Sequence, residues 1–365
     1  MRRLVLVGLV AIAAGCSTSN SAEVDSNQTE QTGEEASADT KAEKSGPSQL
    51  PDFAPQDDTA PIKSLGWGED GSLRLGFADG KWARVELASR ETSLAPAISA
   101  EASVLALSPH AKLAFVASDP PVVVRLRDHQ AVMRLTNVDA LETAGFFTSG
   151  KGLFVVEPSG KLHVWGQSEQ KLDEVSLKDL KRFMARQSPD FTANLSSLRG
   201  QVLVTDANNL IMGTDTGKVL RWKPDNPGEV DVIVKLPTAA RSFGFDGRFV
   251  AATAADGSLR AISLFERTFL PWSKDATGEL AAASAKRQDK FAVADQGTLG
   301  MRAFKDGAYD WQAELPTGDL CGLTFSPDAD TLVVCVDSGV VLVEPETGKS
   351  VAAFRRSGDV IEWRE

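Results

Sequence analysis

From residue 62 onward, short apolar runs alternate with tight polar turns. Runs at 62–67, 73–77, 104–110, 113–117, 122–126, 153–156, 250–254 and 332–336 have strand length. Several are continuously apolar or small rather than alternating, as expected of strands covered on both faces. The breaks between them are turn-forming: Asp70-Gly71, Ser149-Gly150, Asp246-Gly247 and Ser326-Pro327-Asp328-Ala329, with a further turn near Arg287-Gln288.

A second kind of turn measures the repeat. Gly80, Gly160, Gly217, Gly257, Gly297 and Gly339 each precede an apolar strand, as in Gly217-Lys218-Val219-Leu220-Arg221-Trp222. Gly80 to Gly160 is 80 residues, with the Asp119-Pro120-Pro121 turn at the midpoint. The later intervals are 40, 40 and 42. A period near 40 built from short strands and Gly turns predicts an all-β fold: a seven-bladed β-propeller of four-stranded antiparallel blades, spanning 61–365. Such a ring needs no second copy, and a monomer is expected.

Phe325-Ser326-Pro327-Asp328, Leu107-Ser108-Pro109 and Gly160 to Trp165 resemble the tryptophan–aspartate (WD) repeat and related propeller repeats. The likeness runs from residue 62 to about 355 and implies the same fold. The chain departs from the pattern in having no Trp-Asp and no Gly-His dipeptide; Trp165 precedes Gly166 and Trp222 precedes Lys223.

One interval breaks step. Gly160 to Gly217 is 57 residues, so this repeat carries about 17 more than its neighbours. Within it, residues 173–190 hold Leu177, Leu180, Phe183 and Met184 at helical spacing, with Lys178, Lys181, Arg182 and Arg186 around the other side. This predicts an inserted amphipathic helix. It either packs on the rim of the ring or presents Lys178, Lys181, Arg182, Phe183 and Arg186 to a partner. The last residues, turning at Ser357-Gly358 and ending near Trp363, are expected to pair with the 62–67 blade and close the ring.

Before the ring the chain changes character. Arg2 and Arg3 precede an apolar run, 4–14, too short to span a bilayer and typical of a secretory signal at 1–15. Ala13-Ala14-Gly15-Cys16 resembles the lipobox of bacterial lipoproteins. That resemblance implies that Cys16 is diacylated through its thiol and becomes the mature amino terminus. Ser17 rather than Asp then points to the outer membrane if the cell is Gram-negative. Residues 16–60 are polar and acidic, read as a disordered linker. Between 17 and 60 there are ten acids and two lysines, so most of the chain's net charge of −11 lies in this tail. The nearly balanced ring lacks the basic footprint of a nucleic-acid binder.

Candidate chemistry is sparse. His110, His129 and His163 show no metal-ligand spacing and read as surface or turn residues. No phosphate loop or nucleophile elbow is present, and no catalytic residue, metal or cofactor is assigned. Asp79, Asp119, Asp215, Asp256, Asp295 and Asp337 lie by the Gly turns; Asp at such positions suits turn geometry and is an alternative to an ion-binding ring. Cys321 and Cys335 fall in the first two strands of the seventh blade, either bonded or as two buried thiols. Two functions follow. The first is a lipid-anchored scaffold that binds an envelope protein. The rival is an enzyme or a small-ligand or metal binder using the central channel.

Overall fold

The computed structural model describes residues 48–53, 60–68, 70–97, 103–108, 112–126, 128–138, 141–147, 150–166, 191–194, 203–204, 209–223 and 229–364. The strands from Ile62 onward fall in seven antiparallel sheets, each taken in chain order from the innermost strand outward. Inner strands of neighbouring sheets pack against one another, and the last sheet returns to the first, so the sheets form a ring. The blades cover 62–95, 103–134, 143–194, 203–235, 240–269, 280–314 and 320–364, numbered 1 to 7 below.

The Gly turns set this geometry. Gly80, Gly160, Gly217, Gly257 and Gly297 all have φ between 78° and 88°, a left-handed conformation that side chains disfavour. At Gly217 a Cβ would also lie 2.4 Å from the Leu236 carbonyl oxygen. Gly339 keeps the spacing for another reason. It begins the third strand of blade 7, and a Cβ there would lie 2.6 Å from the Phe53 ring.

Blades are joined by apolar packing and by a repeated polar stitch. In blades 1, 2, 5 and 7 the innermost strand bulges at Lys63, Leu105, Arg241 and Cys321. In two of these blades the next residue is a buried serine that reaches the following blade. Ser64 Oγ donates to the Val104 carbonyl at 2.9 Å, and Ser242 Oγ accepts from the Ala281 amide at 2.9 Å. Both hydroxyls would be costly to bury without these partners. Trp222 is buried against Phe147 of the preceding blade, with ring centroids 6.1 Å apart.

The closure differs from the expected one. Val360–Arg364 does not pair with blade 1. It folds back on Ser350–Ser357 as a fifth strand of blade 7, through the two-residue turn Gly358-Asp359. A two-residue hairpin fixes far less chain than a pairing with residue 62 would, so the local partner wins. Blade 1 meets blade 7 by side chains instead. Leu65, Trp67 and Phe77 share one buried cluster with Val333, Leu342, Phe354 and Ile361. Arg356 grips Asp79 in a two-pronged ion pair at 3.0 and 2.7 Å, its guanidinium 4.6 Å from the Phe77 ring centroid.

The expected tail boundary also moves. Ser48–Gln49 adds a parallel strand outside Tyr309–Glu314 of blade 6. Leu50 and Phe53 then insert between blades 6 and 7, each 3% exposed. Asp52 accepts hydrogen bonds from the Thr317 amide (2.9 Å) and hydroxyl (3.1 Å). The reason is compositional: besides Val24, these are the large apolar residues of the 17–60 stretch, and burying them offsets the entropy of ordering six residues.

Candidate functional site

Several of the predicted site residues, Cys16 and the insertion residues Lys178, Lys181, Arg182, Phe183 and Arg186, lie outside the described residues. The strands flanking the insertion are described. The chain leaves the third strand of blade 3 at Gly166 and enters the fourth at Phe191, and these two strand ends lie on the face of the ring opposite the Gly turns.

Cys321 and Cys335 form a disulfide with Cα atoms 5.2 Å apart. The bulge at Cys321 makes this register: Leu320 pairs with Val336 and Gly322 with Cys335, leaving Cys321 looped out beside its partner. Three of the six Asp residues by the Gly turns are engaged individually. Asp79 binds Arg356, Asp256 accepts from the Ser258 amide and hydroxyl, and Asp295 accepts from the Thr277 hydroxyl. No cluster of three or more potential metal ligands occurs among the described residues.

The histidine reading needs one correction. His129 sits exposed in a turn at φ 54°, and His110 is outside the described residues. His163, however, is 3% exposed, with Nε2 2.8 Å from Glu157 Oε1, itself part of a buried carboxylate. The Ser159 hydroxyl donates to the other Glu157 oxygen at 3.1 Å. The pair bridges the two strands flanking the Gly160 turn, so this histidine braces a turn. Its position within a strand hid this: His163 alternates out of phase with the apolar Leu162 and Val164, but blade stacking buries both faces.

One open site lies between blades 4 and 5, on the same face as the Gly166 and Phe191 strand ends. It is a groove of about 1050 Å³. Phe245 and Phe249 flank the first turn of blade 5, and Ile211 contributes from blade 4. The turn Leu264-Phe265-Glu266-Arg267 forms a rim, with Phe265 95% exposed. Arg267 takes the left-handed conformation at φ 56°, which lets the chain reverse and leaves Phe265 at the tip.

Cations converge here. Arg221 bonds Asp231 at 2.8 Å, while Lys223 and Arg267 lie 3.6 Å from the same carboxylate. The Arg221 hydrogen bond, followed by these charges, holds the Asp231 carboxyl below the ordinary range despite some opposing desolvation. Arg248 lies with its guanidinium 5.2 Å from the Phe249 ring centroid. Sequence reasoning passed over these residues. The available signal was a Phe in a tight reverse turn, where Gly, Asn, Asp or Ser is usual.

No protein-family profile matches the chain, and no curated protein matches it. Solved structures do. A structure of U3-55K aligns over 80% of this chain and 93% of its own length, with a TM-score of 0.59 and 15% identity. The WD40 repeats of RRP9 align over 80% of this chain and 92% of theirs, with a TM-score of 0.59 and 14% identity. At such identities the likeness establishes a shared fold, the seven-bladed WD40-type propeller, and nothing about shared partners.

Proposed function

We propose that this chain is a protein-binding scaffold of the cell envelope, held to a membrane by lipid on Cys16 and catalysing nothing itself. The observation that carries the binding role is the open groove between blades 4 and 5, where the exposed Phe265 and the half-buried Phe245 and Phe249 stand beside clustered arginines. Large apolar residues left in solvent next to polar groups are a mark of protein contact surfaces. The insertion at 173–190 adds a second candidate contact, through Lys178, Lys181, Arg182, Phe183 and Arg186. A short basic and apolar leader ending in Cys16 supports the anchor, and the Cys321–Cys335 disulfide accords with an oxidising compartment. The linker between Cys16 and Ser48 then gives reach: about 31 residues of coil span roughly 30 Å.

The test combines fractionation with cross-linking in the native cell. Cys16→Ser is expected to move the protein from the membrane to the soluble fraction and to abolish fatty-acid labelling. Cross-linked membranes are expected to yield one stoichiometric partner whose recovery falls when 173–190 are deleted or the groove is altered. A protein that stays membrane-bound without Cys16 overturns the anchor, and a full-length protein that cross-links to nothing overturns the scaffold.

A further inference from the structure

The groove between blades 4 and 5 carries charge opposite to the chain as a whole, and we propose that it binds an extended peptide segment with an aromatic or large aliphatic anchor flanked by carboxylates. The inference rests on the scaffold reading and adds the chemistry of the ligand.

The sign of charge is the first reason. The chain has a net charge of −11, yet Arg221, Arg248 and Arg267 line the groove against Glu266. Asp231 at its edge is already shared among Arg221, Lys223 and Arg267. Arg248 has no ion-pair partner among the described residues, and its guanidinium, 5.2 Å from the Phe249 ring centroid, can pair with a ligand carboxylate. The groove therefore has cations to spare, and an acidic ligand would complete their pairing.

The apolar surface is the second. Phe265 is 95% exposed, and the outer strands of the same two blades carry two more exposed apolar residues, Phe269 at 37% and Val232 at 50%. A purely ionic ligand would leave this surface wet. An anchor laid against Phe265 while neighbouring acids meet Arg248 and Arg267 satisfies both. Shape is the third reason: at about 1050 Å³ and open along one side, the groove suits a chain segment better than an enclosed small molecule.

The chain's own segments fit less well. Residues 17–47 supply acids but only Val24 as a large apolar residue, so they answer the charge and leave the aromatic rim unmatched. The 173–190 insertion has four acids and four basic residues, and no net charge to offer.

The test pans phage-displayed random dodecapeptides on the immobilised full chain and measures labelled winners by fluorescence anisotropy. Enriched peptides are expected to carry Phe, Trp or Leu within two residues of Asp or Glu. Arg248→Glu is expected to weaken them about tenfold or more, by losing an ion pair and adding repulsion. Phe265→Ser should weaken them about fivefold or more, while Lys349→Glu on blade 7 changes nothing. The groove variants should melt like the parent. Failure to enrich any peptide, winners without carboxylates, or binding indifferent to both groove variants overturns the proposal. So does a carbodiimide cross-link from Lys223 to an acid in 17–47, which gives the groove to the tail, or a dimer abolished by Phe265→Ser, which gives it to a second copy. If cross-linked membranes still yield a partner that Arg248→Glu does not release, the scaffold reading stands and only the groove assignment falls.

Discussion

The seams on the two sides of this ring are built differently. At the 6–7–1 side, where the last blade meets the first, reinforcement both within and between blades is concentrated. There are added fifth strands on blades 6 and 7, Leu50 and Phe53 wedged between them, a disulfide, and the Arg356–Asp79 pair across the closure. At the 4–5 side the inner strands pack tightly, with Ile211 and Phe243 in one buried cluster, but the outer part opens into a groove with an exposed Phe at its rim. A ring closed by packing alone is weakest where its termini meet, so reinforcement there is needed for stability. The opposite side, held by chain continuity, can leave apolar surface uncovered. Stability and binding are thus assigned to different seams.

That assignment can be broken at either end. The largest effect is expected from Phe53→Ala, which empties a buried site between blades 6 and 7. A loss of about 3–5 kcal/mol is expected, read as a lower urea midpoint. An unchanged midpoint would mean the strap is passive. Replacing Cys321 and Cys335 together with Ser should lower stability by about 3 kcal/mol, the scale for cross-linking a loop of 14 residues. The parent under reductant should match the double variant.

Asp79→Asn should weaken the closure by about 2 kcal/mol, as for lost hydrogen bonds to a charged group. Burial alone would raise the Asp79 carboxyl. The Arg356 hydrogen bonds, the Lys81 amide and the nearby charges outweigh it and hold the group below the ordinary range. Because the folded value is lowered, this stabilisation is fully present above about pH 4 and is lost as pH falls through the folded value. The variant and the parent should therefore converge in stability at low pH; curves that stay parallel would assign the loss to packing. The smallest effects are expected in the groove, where Arg248→Glu and Phe265→Ser should shift stability by less than about 0.5 kcal/mol. A large loss there would make Phe265 part of the core and dissolve the contrast.

How much was legible follows the same division. The disulfide partners were named from their strands, but the bond depends on a one-residue bulge at Cys321, and a bulge in one strand leaves no mark in the hydrophobic pattern. The C-terminal strand was recognised as a closing device and assigned the wrong neighbour, because a run of β-forming residues specifies pairing without specifying with whom. The strap at 48–53 was absorbed into its polar surroundings: two apolar residues in a long acidic tail are too few to form a pattern, although they bury fully once a slot exists. The groove residues come from separate turns and strands of two blades, and no local window contains them together.

Sequence alone determined the repeat: the 40-residue period, the seven blades, the Gly turns and the irregular interval at 160–217. Each is a local requirement, a left-handed turn or a strand buried on both faces, and local requirements are written residue by residue. The tertiary structure decided what depends on which blades become neighbours. That includes the pairing of the last strand, the seat of Phe53 on Gly339, the Arg356–Asp79 clasp across 277 residues, and the opening of one seam while another is sealed. Those outcomes depend on distances between segments far apart in the chain, and only the closed ring sets them.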